Sequence, residues 1–361
     1  MMKRVLIISN HSFMLWQFRR ELIQAMLESG KEVIIALPFG DHVEDFQRLG
    51  CRMIDTPLDR RGINPFRDLK LLRQYFRILR AEKPDIVVTY SIKPNVYAGF
   101  ACRLLKIPYC VNVQGLGTAF QTPGMARIVT FLYRTALKRA KTVFFENSQN
   151  AALFREKNII CARQEVILPG AGINLDRYRL EPFPENDSVW FLYVGRLMKE
   201  KGVSELLDSV KMLCEERPDI HLDLVGFFED AYKEQVDALC ETGIATFHGF
   251  QPDPRPFYAA ADCVVLPSYH EGMSNVLLEA AATGRPLITS SIPGCQEAVE
   301  PGVSGLTCPA KNTAALYEAM KQIAATPRDT RMAMGLAGRK RMEAHFSKQI
   351  VVENTMQAIF R

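Results

Sequence analysis

Short apolar runs alternate with helix-like stretches along the whole chain, and this alternation leaves few architectures open. Runs such as RVLII, EVIIAL, VWFLYV and CVVLP have the length and β-branched content of strands buried on both faces, as in a parallel sheet. Strands are expected at Arg4–Ile8, Glu32–Leu37, Arg52–Thr56, Ile86–Thr89, Tyr109–Val113, Thr142–Phe145 and Val166–Leu168. A Pro-rich polar stretch, LEPFPENDS, interrupts the series at Leu180 to Ser188. A second series follows at Trp190–Val194, His221–Val225, Thr246–Gly249, Cys263–Leu266 and Leu287–Thr289. Strands alternating with helices predict doubly wound α/β sheets, and 361 residues suffice for two domains.

The segment PSYHEGMSNVLLEAAATGRPLITSSIPGCQEAVEPGVSGL, from Pro267 to Leu306, carries the most chemistry. It begins where the strand CVVLP ends. Its polar loop leads into a helix that opens near Asn275 and closes at Gly284, with Pro286 as a stop signal. Glu271 therefore lies in a loop at the carboxyl end of a strand, where open α/β sheets bind ligands, and Glu279 sits on the helix behind it. The helix N-terminus suits a diphosphate. The two carboxylates suit hydroxyl groups, those of a ribose and of a sugar. A glutamate near a helix start is in many proteins only a dipole partner. The weight here rests on the ordered run, not on the spacing of two acids.

This run resembles the donor-binding signature of the retaining glycosyltransferases of the two-Rossmann-domain (GT-B) type, in family four. Other segments carry the same resemblance: VTYSIKPNVYAGFACRLLKIPY, VQGLGTAF, ILPGAGINLDRY, YVGRLMKEKGVSELLDSV and FHGFQPDPRPFYAAADC. It extends over nearly the whole chain and is similar to bacterial enzymes that build capsule, O-antigen or N-glycan precursors on a lipid carrier. It implies an α/β GT-B fold, two doubly wound Rossmann-like domains facing a central cleft. The acceptor domain would span 1–183, with a last helix at about 346–361 packing back on it, and the donor domain 184–345.

The resemblance also implies roles. Arg196 and Lys201, in YVGRLMKEKG, match the cations that hold the donor diphosphate, so a metal ion is not required, and no Asp-x-Asp motif is present to bind one. Glu271 matches the carboxylate near the sugar hydroxyls and Glu279 the one on the ribose. Phe250 and Gln251 match the loop that holds the base. Gly272, Met273, Ser274 and Asn275 match the loop whose backbone approaches sugar and phosphate. The acceptor side would use Asn10, His11 and Ser12, where many relatives have a Gly pair, and Gln114 and Gly115, where much of the family has a His at 114. Gln114 cannot act as a base, so none is assigned. The implied reaction is retaining transfer of a hexose or N-acetylhexosamine from a UDP-sugar to a saccharide, with a polyprenyl diphosphate as its carrier. Another nucleotide-sugar, a soluble acceptor, an epimerase and a non-catalytic nucleotide-sugar sensor stay open as alternatives.

Charge divides the chain. Residues 1–180 hold 28 Lys+Arg against 15 Asp+Glu, and residues 181–361 hold 17 against 25. The first half should attract an anionic partner. Asn64-Pro65 predicts a helix to about Glu82 with Arg67, Lys70, Arg73, Arg77 and Arg80 on one face and Leu69, Leu72, Phe76 and Leu79 on another. A second helix, Met125 to Lys141, places Arg127, Arg134, Lys138 and Lys141 beside Ile128, Phe131 and Leu132. Such faces suit an anionic membrane surface, or are the solvated outside of ordinary helices. Nucleic-acid signatures are absent. Nine Cys without a Cys-x-x-Cys pair give neither a disulfide framework nor a zinc cluster, and no leader or membrane-spanning run is evident. The expectation is a cytoplasmic protein, peripheral on the inner face of the membrane.

Overall fold

The computed structural model describes residues 3–58, 64–115, 123–185 and 188–361. It divides into two units, Met1–Ala171 with Gln349–Arg361, and Gly172–Lys348.

The first unit is a seven-stranded parallel sheet of β1 (Arg4–Ile8), β2 (Glu32–Leu37), β3 (Arg52–Asp55), β4 (Ile86–Tyr90), β5 (Tyr109–Val113), β6 (Thr142–Phe145) and β7 (Glu165–Ile167), ordered β3-β2-β1-β4-β5-β6-β7. Alternate residues of β1 enter different cores. Leu6 and Ile8 join one apolar cluster, Val5 and Ile7 the other. That period-two split is what a sheet covered on both faces requires. On one face lie the helices Pro65–Glu82, Gly99–Leu105 and Pro123–Leu137. On the other lie Ser12–Glu28 and the end of the last helix, Lys348–Phe360, whose Ile359 is fully buried. Lys141 Nζ donates to the Ile359 carbonyl at 2.8 Å, and the Lys31 ammonium sits 5.0 Å from the Phe360 ring centroid.

The helix Pro65–Glu82 begins as its sequence dictates. Asn64 Oδ1 accepts from the amides of Phe66 and Arg67, and Pro65 occupies the first helical position. Its buried stripe is Leu71, Tyr75, Ile78 and Leu79. The expected face of Leu69, Leu72, Phe76 and Leu79 is corrected by this: Leu79 is buried as the others are not, Leu69 is 45% exposed, and Leu72 and Phe76 only flank the core. The helix carries two apolar stripes of equal period, so periodicity alone does not choose the phase. The second basic helix ends at Leu137, ahead of the expected Lys141.

The second unit is a six-stranded parallel sheet of β8 (Val189–Val194), β9 (Ile220–Val225), β10 (Ala245–Phe247), β11 (Cys263–Leu266), β12 (Leu287–Ser290) and β13 (Gly305–Cys308), ordered β10-β9-β8-β11-β12-β13. The edge strand β13 was not expected from sequence. It is four residues long and starts on a glycine whose Cβ would overlap the Leu287 carbonyl. The chain changes unit at Ala171–Gly172, not at 183/184 as the Pro-rich stretch predicts. Ile173 and Tyr178 are buried in the second core. The buried Arg285 holds the carbonyls of Glu181 and Pro182, and Arg328 that of Phe183, so this strap is bound to the second sheet before β8 begins.

Candidate active site

In the second unit, β8 and β11 are neighbours at the point where the strand order reverses. Open α/β sheets bind ligands beyond the carboxyl ends of such strands. The chain leaving β8 is held in a tight turn, the Tyr193 hydroxyl donating to the Arg196 carbonyl at 2.7 Å. A single 3-10 turn, Lys199–Lys201, ends at Gly202 with φ +69°. A Cβ at 202 would overlap the Pro267 carbonyl, so only glycine lets this turn lie against the loop after β11. The Tyr269 amide donates to the Glu200 carbonyl at 2.8 Å and closes the contact.

This packing sets two charges. Lys201 Nζ is 2.5 Å from Glu271 Oε1, which also accepts from Ser268 Oγ at 2.9 Å. Arg196 Nη1 is 2.5 Å from Glu229 Oε2. Glu271 thus neutralises Lys201 and is not a loose charge beside an anion site. On its far side the loop is supported by Gly294, whose carbonyl accepts from the Ser274 amide at 2.8 Å.

The helix Asn275–Ala282 starts on Ser274, whose Oγ accepts from the Leu277 amide. Met273 and Ser274 are buried, while Gly272 and Asn275 are half-buried. Glu279 points into the unit. Its Oε2 accepts from the Tyr258 hydroxyl at 2.9 Å, and the Tyr178 hydroxyl also bonds to it. Burial pushes its carboxyl up to about 7, against the pull of both hydroxyls and of Arg177 and Lys348. At the end of β10, Phe250 is 61% exposed, and its ring stands edge-on to the exposed Phe227 at 6.4 Å. Gln251 folds back, its Nε2 donating to the His248 carbonyl at 2.7 Å.

In the first unit the sheet order reverses between β1 and β4. There Asn10, Ser91, Gln114 and Gly115 line a polar pocket of about 240 Å³. Ser91 Oγ donates to Asn10 Oδ1 at 2.7 Å. His11 and Ser12 are placed differently. His11 is the N-cap of the helix Ser12–Glu28, its Nδ1 accepting from the Met14 amide at 3.4 Å, and Ser12 is buried at the helix start. The rest of the expected acceptor loop, Leu116 to Thr122, lies outside the described residues.

Sequence reasoning missed Glu229, Phe227, Tyr178 and Tyr258. Phe227 follows a strand as Phe250 does, but it lies outside the segments that carry the resemblance. Tyr258 comes from a separate short helix, Arg255–Ala260, and nothing in its neighbourhood marks it as a carboxylate partner.

Residues 15–170 match a glycosyl transferase 4-like domain and residues 188–326 a glycosyl transferases group 1 domain. This chain belongs to the group 1 glycosyltransferases. It is 26% identical to N,N'-diacetylbacillosaminyl-diphospho-undecaprenol alpha-1,3-N-acetylgalactosaminyltransferase of Campylobacter jejuni, over 98% of this chain and 97% of that one. It is 27% identical to UDP-Gal:alpha-D-GlcNAc-diphosphoundecaprenol alpha-1,3-galactosyltransferase of Escherichia coli, over 71% and 70% of the two chains. Among solved structures, the Anabaena protein HepE in complex with UDP superposes with a TM-score of 0.79 at 16% identity, over 98% of both chains, so the glycosyltransferase has the GT-B fold.

The buried carboxyl gives a pH test. A ribose hydroxyl donates more strongly to an ionised acceptor than to a neutral one. A folded-state carboxyl titrating near 7 is protonated below that pH. If the ribose of a UDP-sugar rests on Glu279, binding of UDP-galactose, whose diphosphate has no proton to lose in this range, is expected to tighten as pH rises from about 6 to about 8 and to release protons. The Glu279→Gln protein should show neither effect. Calorimetric titration in buffers of different ionisation enthalpy reads both, and a flat wild-type profile would remove Glu279 from the site.

Proposed function

We propose that this glycosyltransferase moves a hexose or N-acetylhexosamine from a UDP-sugar to a saccharide carried on a polyprenyl diphosphate, with retention and without a metal ion. The observation that carries the reading is the Lys201–Glu271 pair, which joins the segments leaving β8 and β11 at the switch point of the second sheet, with Arg196 on the same β8 segment and paired to Glu229. The leaving group is a nucleoside diphosphate, on which charge builds as the glycosidic bond breaks. Arg196 and Lys201 stabilise that charge as fixed cations. Glu271 orients Lys201 and accepts from the sugar hydroxyls, Glu279 accepts from the ribose, and the Phe250 loop takes the base. The acceptor hydroxyl attacks the anomeric carbon from the face the diphosphate leaves, and a departing phosphate oxygen takes its proton. The acceptor sugar is assigned to the pocket of Asn10, Ser91 and Gln114. The activities of the Campylobacter and Escherichia relatives support a lipid-diphosphate acceptor, and that of the latter a UDP donor.

Peripheral attachment to the inner face of an anionic membrane belongs to the same reading. No helix among the described residues is long and apolar enough to cross a bilayer. The helices Pro65–Glu82 and Pro123–Leu137 expose Phe66 (85%) and Phe131 (65%) beside Arg67, Arg127 and Arg134. Apolar rings among cations suit a headgroup layer. Transfer is tested with UDP-sugars and a prenyl-diphosphate saccharide in EDTA, following the anomeric signal by NMR. The expected result is metal-free formation of a product with the donor's anomeric configuration. A strict need for Mg²⁺ or Mn²⁺, or an inverted product, would contradict the proposal.

A further inference from the structure

A basic groove of about 920 Å³ runs along the helix Pro65–Glu82, apart from the strand-end pocket. Its wall carries Arg67, Lys70, Arg73 and Arg77 from the helix and Lys93 from the turn after β4. The carboxylate in this wall, Asp68, is already engaged by Lys93 Nζ at 2.8 Å and the Tyr97 hydroxyl at 2.9 Å. Among the described residues, Lys70, Arg73 and Arg77 have no acidic partner within ion-pair distance, and all three are exposed. Lys93 also lines the polar pocket of Asn10, Ser91 and Gln114, so this side chain belongs to both walls. A second groove shares Arg73 and Arg77 and continues the series to Arg80.

We propose that this groove is a diphosphate site and holds the head of the prenyl-linked acceptor whose sugar lies in the strand-end pocket. The inference rests on the acceptor reading above and adds a place and a mode of recognition to it. Lys70, Arg73 and Arg77 stand on successive turns of one helix face, spanning about 10 Å at 1.5 Å per residue. That ladder fits a row of phosphate charges better than a single ion. Guanidinium groups bind phosphate oxygens through paired hydrogen bonds, and two of the three are arginines. Leu58 and Leu71 add apolar wall, and Phe66 and Leu69 add exposed apolar surface on the same helix. An isoprenoid leaving the diphosphate meets a surface of matching character. Lys93 lies where the sugar and the diphosphate join.

The test is a calorimetric titration of the full chain with geranyl diphosphate, run after saturation with UDP so that the donor site is occupied. Wild-type protein is expected to bind geranyl diphosphate about tenfold or more tighter than geranyl monophosphate. Arg73→Gln with Arg77→Gln should weaken the diphosphate about tenfold or more and leave the preceding UDP titration unchanged. Equal binding by this variant and wild type overturns the proposal. So does a groove that binds phosphatidylglycerol vesicles through Arg73 and Arg77 while geranyl diphosphate gives no heat, since the cations then serve the bilayer surface. The two readings separate in the first step. Failure to bind UDP would sink the donor assignment and leave the groove test standing.

Discussion

Arg196→Ala and Lys201→Ala are each expected to lower sugar transfer by about a hundredfold or more, because each removes a fixed cation from the diphosphate as it departs. Both side chains stand at a strand end and are partly exposed, so melting temperature should change little. Lys201→Ala has a second consequence. It leaves Glu271 with Ser268 alone, and an unpaired carboxylate then faces the anionic donor. Lys201→Ala should therefore weaken donor binding more than Arg196→Ala does. Near-normal turnover in both variants would show that the diphosphate is held elsewhere.

The largest effect from a residue that touches no substrate is expected at Gly202. Its φ of +69° disfavours any side chain, and a Cβ would overlap the Pro267 carbonyl. Gly202→Ala must push the turn that carries Lys201 away from the loop that carries Glu271. A displacement of about 1 Å in a positioning element can cost about a hundredfold in rate. Gly302 supplies the control, because its φ is +78° and a Cβ there meets nothing within 4 Å. Both alanine variants carry backbone strain of about 1–3 kcal/mol. Only Gly202→Ala should lose transfer. Equal losses in the two would reduce Gly202 to a stability residue.

Much of this was legible in the sequence because a strand buried on both faces has a signature that survives without context. RVLII, YCVNV and CVVL are strands where expected, and the loops that follow them carry residues of the two strand-end sites. Glu271, Arg196 and Lys201 could be named because each follows such a strand and matches a residue of the family whose donor signature the chain resembles. Their partners were less accessible. Tyr178 and Tyr258 reach Glu279 from a strap and a short helix remote in sequence, and only packing brings them together. The helix Pro65–Glu82 illustrates a different limit. Its ends follow from Asn64 and Pro65, but Leu69, Leu72 and Phe76 compete with Leu71, Tyr75 and Ile78 for the core, and the sheet chooses the second set. As a result Leu69 of the losing stripe stays outside, with Phe66, on the helix that bears the basic ladder. His11 reads as a strand-end residue in the sequence and serves as a helix cap in the structure.

The most direct measurement is a crystal structure of the chain with bound UDP. The expected density has the diphosphate within hydrogen-bond reach of Arg196 and Lys201, the ribose hydroxyls on Glu279, and the uracil at the loop of Phe250. A diphosphate seated in the first unit, with Arg196 still on Glu229 and Glu279 still closed on Tyr258, would contradict the assignment of the donor site.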